Sequence, residues 1–92
     1  MRFSILIANY NNSRFLANAI NSVIGQDFCN WEIIIVDDGS TDEFEEVIKQ
    51  FEQDKRIRVF RNRKNSGCGY TKRRCARFAS GDILAFLDPD GE

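Results

Sequence analysis

The chain alternates apolar runs with stretches of mixed polarity. Four of these runs predict β-strands, at residues 3 to 8, 31 to 37, 57 to 60 and 82 to 88. Three of them are nearly continuous and rich in Ile, Leu and Val, which is typical of strands covered on both faces of a sheet. The third run is shorter and contains Arg58, so it indicates an edge strand.

The clearest helical pattern covers residues 43 to 53, where apolar residues recur at i, i+3, i+4 and i+7. These apolar residues are Phe44, Val47, Ile48 and Phe51. Ser40 and Glu43 precede them with the spacing of a capping box, in which each residue satisfies a free backbone N–H of the first turn. The helix is therefore expected to begin at this pair.

Two further helices complete the alternation. Residues 13 to 24 repeat the helical pattern, with Ser13 as the candidate cap and Gly25 as the stop. A more basic helix is expected from about Tyr70 to Ala79, closed by Gly81. Strands and helices that alternate through short connections favour right-handed crossovers into one sheet. The predicted fold class is α/β, a Rossmann-like half-fold with a four-stranded, mainly parallel sheet flanked by helices.

Composition indicates one soluble globular domain, because the 92 residues are 42% apolar and carry a formal net charge of -1. No window has the length of a membrane span, and the apolar run after Met1 is too short for a secretory signal. The expected compartment is the cytoplasm. The three cysteines are odd in number and lack C-x-x-C spacing, so we expect ordinary buried or half-buried thiols at Cys29, Cys68 and Cys75.

Charge is unevenly distributed along the chain. Ten of the 14 acidic residues precede Lys55, whereas ten of the 13 Lys and Arg residues lie from Lys55 to Arg77. A solvated basic face is the usual explanation of such a run. The near-zero net charge argues against a dedicated nucleic-acid-binding protein.

Acidic residues follow two of the predicted strands. Asp37 and Asp38 end the second strand, and Asp88 and Asp90 flank Pro89 at the end of the fourth. The carboxyl ends of parallel strands open into a crevice where ligands bind, so four carboxylates are expected to converge there. Like charges at close range need a cation or hydrogen-bond donors, and Mg²⁺ or Mn²⁺ with substrate phosphates is one solution. Ordinary turn chemistry explains the same residues and stays open as an alternative.

The first strand-to-helix connection reads ANYNNS and contains no glycine. The chain also lacks G-x-G-x-x-G after this strand and G-K-[ST] anywhere, so dinucleotide-binding and P-loop interpretations lose their main support. Tyr10 offers a different recognition chemistry. Its ring either stacks on a base or packs over the edge of the sheet.

These motifs together resemble the N-terminal half of a family 2 glycosyltransferase with the GT-A fold, over essentially all 92 residues. The matching segments, in the family's order, are SILIANYNNSRFLANAINSVIGQDF, EIIIVDDGSTD, NSGCGYTKRR and SGDILAFLDPD. The resemblance implies transfer of a sugar from a nucleotide-activated donor to an acceptor, with Mn²⁺ or Mg²⁺ held through D-x-D. It also implies that residues 1–92 form the nucleotide-sugar-binding part of a GT-A domain whose acceptor half and catalytic base lie beyond Glu92.

The resemblance further implies roles for individual residues. Tyr10 would lie against the nucleobase, Asp38 at its polar edge with Asp37 beside it, Asp88 at the ribose or metal, and Asp90 as the main metal ligand. The complete set implied for the nucleotide is Ala8, Tyr10, Asp37, Asp38, Lys72, Arg73 and Asp88, with Lys72 or Arg73 facing the diphosphate. A UDP-sugar is the expected donor, and a glycan or lipid-linked molecule is the expected acceptor of the full-length enzyme. The full-length protein is expected in the cytoplasm, at the inner face of the membrane.

Two other interpretations remain open. DPDG at 88 to 91 also resembles the nucleophile motif of haloacid-dehalogenase-like phosphatases, although here it ends the chain instead of opening a domain. A non-catalytic nucleotide-binding module is compatible with the same residues. Because the chain stops just after its fourth predicted strand and the next partner strand is absent, the run at 82 to 88 is expected to present an unpaired apolar edge through which the chain self-associates.

Overall fold

The computed structural model describes residues 1 to 26 and 30 to 88. Strands and helices alternate in the predicted order. The elements are β1 (Phe3–Asn9), α1 (Ser13–Ile24), β2 (Trp31–Asp37), α2 (Phe44–Lys49), β3 (Ile57–Arg61), α3 (Cys68–Phe78) and β4 (Ile83–Phe86). The predicted α/β class is confirmed, and α2 is shorter than the helix predicted over 43 to 53.

The four strands form one parallel sheet in the order β3-β2-β1-β4. β1 and β2 pair along their whole length, from Phe3 opposite Trp31 to Asn9 opposite Asp37. The chain moves outward from β1 to β3 and then crosses back to place β4 on the other side of β1. This reversal of strand order leaves a crevice at the carboxyl ends of β1 and β4. β3 lies at an edge, as its sequence predicts.

Helices cover both faces of the two central strands. Because side chains alternate along a strand, Ile33 and Ile35 of β2 face α1 and α2, whereas Ile34 and Val36 face α3. Every residue of β2 is buried. The predicted helical stripe is confirmed, since all four of its apolar residues are buried: Phe44, Val47, Ile48 and Phe51.

The start of α1 is capped by a residue outside its own turn. Ser13 begins the helix, and its predecessor Asn12 makes no side-chain capping bond. Instead the carboxylate of Asp42 accepts hydrogen bonds from the Ser13 backbone N (3.0 Å) and Oγ (2.8 Å). The prediction of Ser13 as the cap is therefore wrong, because the loop after β2 supplies the acceptor.

The capping box predicted for α2 does not form. The helix begins at Phe44, and Glu43 at its N-cap makes no side-chain capping bond. Ser40 is engaged elsewhere, since its Oγ donates to Asp37 Oδ1 at 2.6 Å. A local contact at the end of β2 thus takes the hydroxyl that the sequence pattern assigned to the helix.

The thiols differ in exposure. Cys75 on α3 is fully buried, and burial raises the pKa of its thiol to about 11. Cys68 at the start of α3 is exposed, so the expectation of a buried or half-buried thiol is wrong there. Cys29 lies outside the described residues.

β4 presents an open apolar edge. It pairs with β1 and with no other strand in the described ranges, and the side chains of Leu84 and Phe86 are 46% and 51% exposed. The prediction of an unpaired apolar edge is confirmed.

A buried carboxylate joins the amino ends of the strands. Glu32 is 1% exposed and accepts hydrogen bonds from Ser4 Oγ (2.6 Å), the Ser80 backbone N (2.6 Å) and Arg2 Nη2 (3.3 Å). Burial raises the pKa of Glu32, but the hydrogen bonds from Ser4 and Ser80 outweigh it, and the pKa lies below its ordinary value. Glu32 therefore anchors the connection between α3 and β4 as a charged acceptor.

Gly81 lies in this connection and does not end α3, which closes at Phe78. Its backbone N donates to Ser4 Oγ at 2.8 Å. A Cβ at this position would lie 2.8 Å from the Arg2 carbonyl oxygen and 2.9 Å from the Ser4 backbone N. Only glycine allows so close an approach of the two backbones.

We expect Gly81→Ala to lower the free energy of unfolding by roughly 1 to 3 kcal/mol, because the added methyl group overlaps backbone atoms that cannot move aside freely. Urea unfolding followed by circular dichroism measures the loss. Gly25→Ala is the matched control, since its Cβ would meet only the Asn21 carbonyl oxygen at 3.4 Å. Equal stability of the two variants would show that the turn before β4 relaxes without cost.

Candidate functional site

A cleft of about 350 Å³ opens where the strand order reverses. It lies between the end of β1, the residue after β2, and residues 62 to 67, which connect β3 to α3 and are called the 62–67 loop below. The lining residues are Ala8, Asn9, Tyr10, Asn12, Asp38, Asn65, Gly67, Cys68, Thr71 and Asp88. Several predicted site residues therefore meet in one concave surface.

Asp38 holds one wall of this cleft in place. Its Oδ1 accepts hydrogen bonds from Asn62 Nδ2 (2.8 Å) and the Ser66 backbone N (2.7 Å). Its Oδ2 accepts hydrogen bonds from Asn65 Nδ2 (3.0 Å) and the Gly67 backbone N (2.9 Å). The carboxylate is 4% exposed, so all four donors serve a buried anion. Asp38 thereby fixes the 62–67 loop at both of its ends.

These hydrogen bonds determine the charge state of Asp38. Burial raises the pKa of its carboxyl group, but hydrogen bonds from Asn62, Ser66 and Gly67 outweigh burial and leave the pKa below the ordinary value. Because the pKa of Asp38 is lower in the folded than in the unfolded protein, its charge stabilises the fold fully at pH values above the pKa of the unfolded state. This stabilisation is lost as the pH falls through the folded pKa.

Gly39 allows the loop to approach the end of β2. Its φ of 80° lies in the left-handed region that favours glycine. A Cβ at this position would lie 3.1 Å from the Asn65 backbone N. The glycine after the acidic pair thus serves both the turn and the packing of the 62–67 loop.

Asp37 points away from the cleft. Its Oδ1 accepts hydrogen bonds from Asn9 Nδ2 (2.9 Å) and Ser40 Oγ (2.6 Å), and its Oδ2 accepts one from the Ser40 backbone N (2.9 Å). Asn9 Nδ2 also donates to Ser13 Oγ at 3.0 Å. Asp37 therefore ties the ends of β1 and β2 to the start of α1 from behind the cleft.

The expected convergence of four carboxylates is not found among the acids that the structure describes. The charges of Asp37 and Asp38 are stabilised by N–H and O–H donors on opposite sides of the sheet. Of the four acids, only Asp38 and Asp88 line the cleft within the described residues. Across residues 1 to 26 and 30 to 88, no group of three or more His, Cys, Asp or Glu is placed to hold a metal ion. Asp90, predicted as the main metal ligand, lies outside the described residues.

The other predicted nucleotide residues divide into two groups. Ala8 and Tyr10 line the cleft, and the Tyr10 side chain is 48% exposed. Lys72 and Arg73 on α3 do not line it; Lys72 Nζ lies 5.7 Å from the centre of the Phe86 ring.

Sequence reasoning missed the amide side chains of the cleft. Asn9, Asn12 and Asn65 line it, and the repeated Asn of ANYNNS beside a strand end was the available signal. Asn9 is 1% exposed, and its Oδ1 has no hydrogen-bond partner among the described residues. This oxygen is closed to solvent, and the Nδ2 of the same amide is bonded to Ser13 and Asp37.

The sequence model of the family described as Glycosyl transferase family 2 matches residues 4–92. The chain belongs to this family. An uncharacterized glycosyltransferase of Nostoc sp. is 42% identical over 93 residues, which cover 98% of this chain and 28% of the relative. The chain thus spans less than a third of that relative's length.

Solved glycosyltransferase structures share the fold. Crystalline S. aureus TarS 1-349 in complex with UDP-GlcNAc superposes with a TM-score of 0.90 at 29% identity, over 98% of this chain and 27% of that one. The mannosyltransferase PcManGT of Pyrobaculum calidifontis, in complex with GDP-Man and Mn²⁺, gives a TM-score of 0.87 at 20% identity over 97% and 27%. The sheet and its flanking helices therefore form the Rossmann-like part of a GT-A fold. Within the described ranges, no helix has the length and apolarity needed to cross a membrane.

We expect Asp38→Asn to lower the free energy of unfolding at pH 7 by roughly 2 to 4 kcal/mol, because the amide turns an NH₂ group towards N–H donors and removes the charge they stabilise. Urea unfolding at pH 7 and at about pH 3 measures the effect. The difference in free energy of unfolding between the variant and the native protein should shrink at the lower pH, because protonation of Asp38 removes the stabilisation that its charge provides.

Asp54→Asn is the control for this substitution. Asp54 makes a partly exposed ion pair with Arg56 at 3.0 Å, and such pairs contribute about 0 to 1 kcal/mol. A loss at Asp38→Asn that is equally large at both pH values would contradict a role for the charge.

Proposed function

We propose that this chain is the donor-binding part of a glycosyltransferase that takes a nucleoside diphosphate sugar, most simply a UDP-sugar, together with Mn²⁺ or Mg²⁺. One observation carries the proposal: a single cleft at the strand reversal contains an exposed aromatic ring, a rigid loop and an exposed carboxylate. These are Tyr10, the 62–67 loop and Asp88. The likeness to a TarS structure solved with UDP-GlcNAc supports a uridine nucleotide.

In this proposal the base lies between Tyr10 and the wall that Asp38 fixes. The exposed Tyr10 ring offers a face for stacking. Asn12 and Asn65 line the same cleft with amide donors and acceptors for the polar edge of a base or a ribose. Asp38 contributes chiefly by positioning the loop, and Asp37 supports it from behind.

The oxygen atoms available in the cleft suit a hard divalent cation. Asp88 is an exposed carboxylate at its rim. Carboxylates with few other protein ligands are the usual way to hold Mg²⁺ or Mn²⁺ beside phosphates. Asp88 and Asp90 are the proposed ligands, and the bound ion would offset charge that develops on a departing nucleoside diphosphate.

Lys72 and Arg73 are the proposed cations for the diphosphate. Both lie on α3, whose first residue, Cys68, lines the cleft. Their long side chains would have to turn from their present positions towards the ligand. This chain's own contribution to transfer is to orient the donor and hold its charged end.

We expect UDP to bind with Mn²⁺ and to bind at least tenfold more weakly in EDTA, because diphosphate and carboxylate repel each other without a cation. Isothermal titration calorimetry compares the two conditions. Asp88→Asn and Asp90→Asn should each remove most of the metal dependence. Asp82→Asn, at the exposed opposite end of β4, is the matched control and should not.

Equal affinity for UDP with Mn²⁺ and with EDTA would rule out the metal bridge. Rapid hydrolysis of a simple phosphate ester would instead support the phosphatase interpretation of residues 88 to 91. If the chain binds nucleotide and Asp88→Asn has no effect, the result would support a non-catalytic nucleotide-binding module in which the acid after β4 holds no metal.

We also propose that the chain self-associates through residues 82 to 88. The open edge and the exposed Leu84 and Phe86 side chains support this, since unpaired strands with apolar faces recruit further strands. Light scattering should detect dimers that Leu84→Lys converts to monomers. Ile24→Lys, at a site that is 38% exposed on α1, is the control and should leave the dimers intact.

A further inference from the structure

The cleft at the strand reversal, where we propose that the sugar donor binds, is called the donor cleft below. A second cleft, of about 520 Å³, shares no lining residue with it. Five of its eight lining residues are Arg or Lys, and none is acidic. Its cations, which define the basic cleft, are Arg61, Arg63, Lys64, Arg74 and Arg77. We propose that the basic cleft binds the phosphate groups of an anionic ligand, at a site independent of the proposed nucleotide site.

The charge of the basic cleft is largely uncompensated. From Lys55 to Arg77 the sequence contains ten Lys and Arg residues and no Asp or Glu. Arg61 pairs with the Glu45 carboxylate at 2.7 Å. In the described part of the chain, Arg63, Lys64 and Arg77 have no carboxylate within ion-pair distance, and all three are exposed. A segment of positive potential therefore persists on a chain whose net charge is -1.

Part of this cation set is already held in position. Arg74 Nη1 donates to Asn62 Oδ1 at 2.7 Å and to the Arg61 carbonyl oxygen at 3.2 Å. Both acceptors are uncharged, so the guanidinium group is fixed while its charge remains available. Fixed donors lose little side-chain freedom when a ligand binds, which favours affinity.

The shape and chemistry of the cleft suit the phosphate groups of a compact ligand better than a long polyanion. Guanidinium groups match phosphate oxygens through paired N–H donors, and four of the five cations are Arg. A concave volume of about 520 Å³ accommodates one or two phosphate groups. Nucleic acids instead spread their contacts along an extended backbone.

The 62–67 loop separates the two sites. Asn65 and Gly67 line the donor cleft, whereas Arg63, Lys64 and Ser66 line the basic cleft. The basic cleft therefore rests on the same Asp38 contacts that shape its neighbour, although its ligand would touch different residues.

The direct test is calorimetric titration of the chain with pyrophosphate in EDTA, where no divalent metal or nucleoside is present. The double substitution Arg63→Gln with Arg77→Gln should weaken binding roughly tenfold. Lys49→Gln with Lys55→Gln makes the same charge change at exposed sites outside the cleft and should weaken it less than twofold. Thermal unfolding checks that both variants remain folded.

Vesicle sedimentation separates the two sources of phosphate. If the ligand is a lipid headgroup, the chain should sediment with phosphatidylglycerol vesicles and not with phosphatidylcholine vesicles, and pyrophosphate should release it. If the ligand is a free phosphate compound, pyrophosphate should bind while neither vesicle does. Each result supports the proposal when the double substitution at Arg63 and Arg77 weakens that binding and the control double substitution does not.

Three outcomes would overturn the proposal: no binding of pyrophosphate or of phosphatidylglycerol vesicles, equal losses in the two double variants, or single-stranded DNA binding with which pyrophosphate does not compete. Because the pyrophosphate titration contains neither nucleoside nor metal, its result does not depend on whether the chain binds UDP. The two proposals can therefore fail separately.

Discussion

The candidate site depends on one buried carboxylate and the loop that it holds. Asp38 accepts four hydrogen bonds, two of them from the backbone N–H groups of Ser66 and Gly67. Donors of this kind stabilise the ionised form, so the contacts that position the loop also keep the acid charged despite its burial. Since the 62–67 loop separates the donor cleft from the basic cleft, this contact shapes both.

The alternation of side chains along β2 gives the acidic pair two different roles. Asp37 continues the face of Ile33 and Ile35, and it binds Asn9 at the end of β1 and Ser40 after β2. Asp38 continues the face of Ile34 and Val36, and it binds the loop that leads into α3. Adjacent like charges are thus separated by the sheet itself, and each meets its own donors. A single sequence motif joins the two layers of helices to the end of the central strand.

The sequence predicts most of the fold because its strands and helices have strong periodic patterns. It fails where a side chain finds a partner far along the chain. Ser40 has the spacing of a cap, but its hydroxyl accepts a hydrogen bond from the distant Asn11 backbone N, and Asp42 caps α1 from 29 residues away. Glu32 looks like an interruption of an apolar strand, and its partner Ser80 is 48 residues distant. Such contacts depend on strand order and register, which local periodicity does not specify.

The same limit explains what was missed in the site. The acids at the strand ends are visible in the sequence, but the donors to Asp38 lie 24 to 29 residues further on, in the 62–67 loop. With those donors in place, Asp38 does not need a cation, and the metal ligands that we propose are the acids after β4 instead. A ligand in one cleft can influence the other only if it binds two arrangements of the shared loop with different affinity. Because four hydrogen bonds to Asp38 favour a single arrangement, we expect the two clefts to bind their ligands independently.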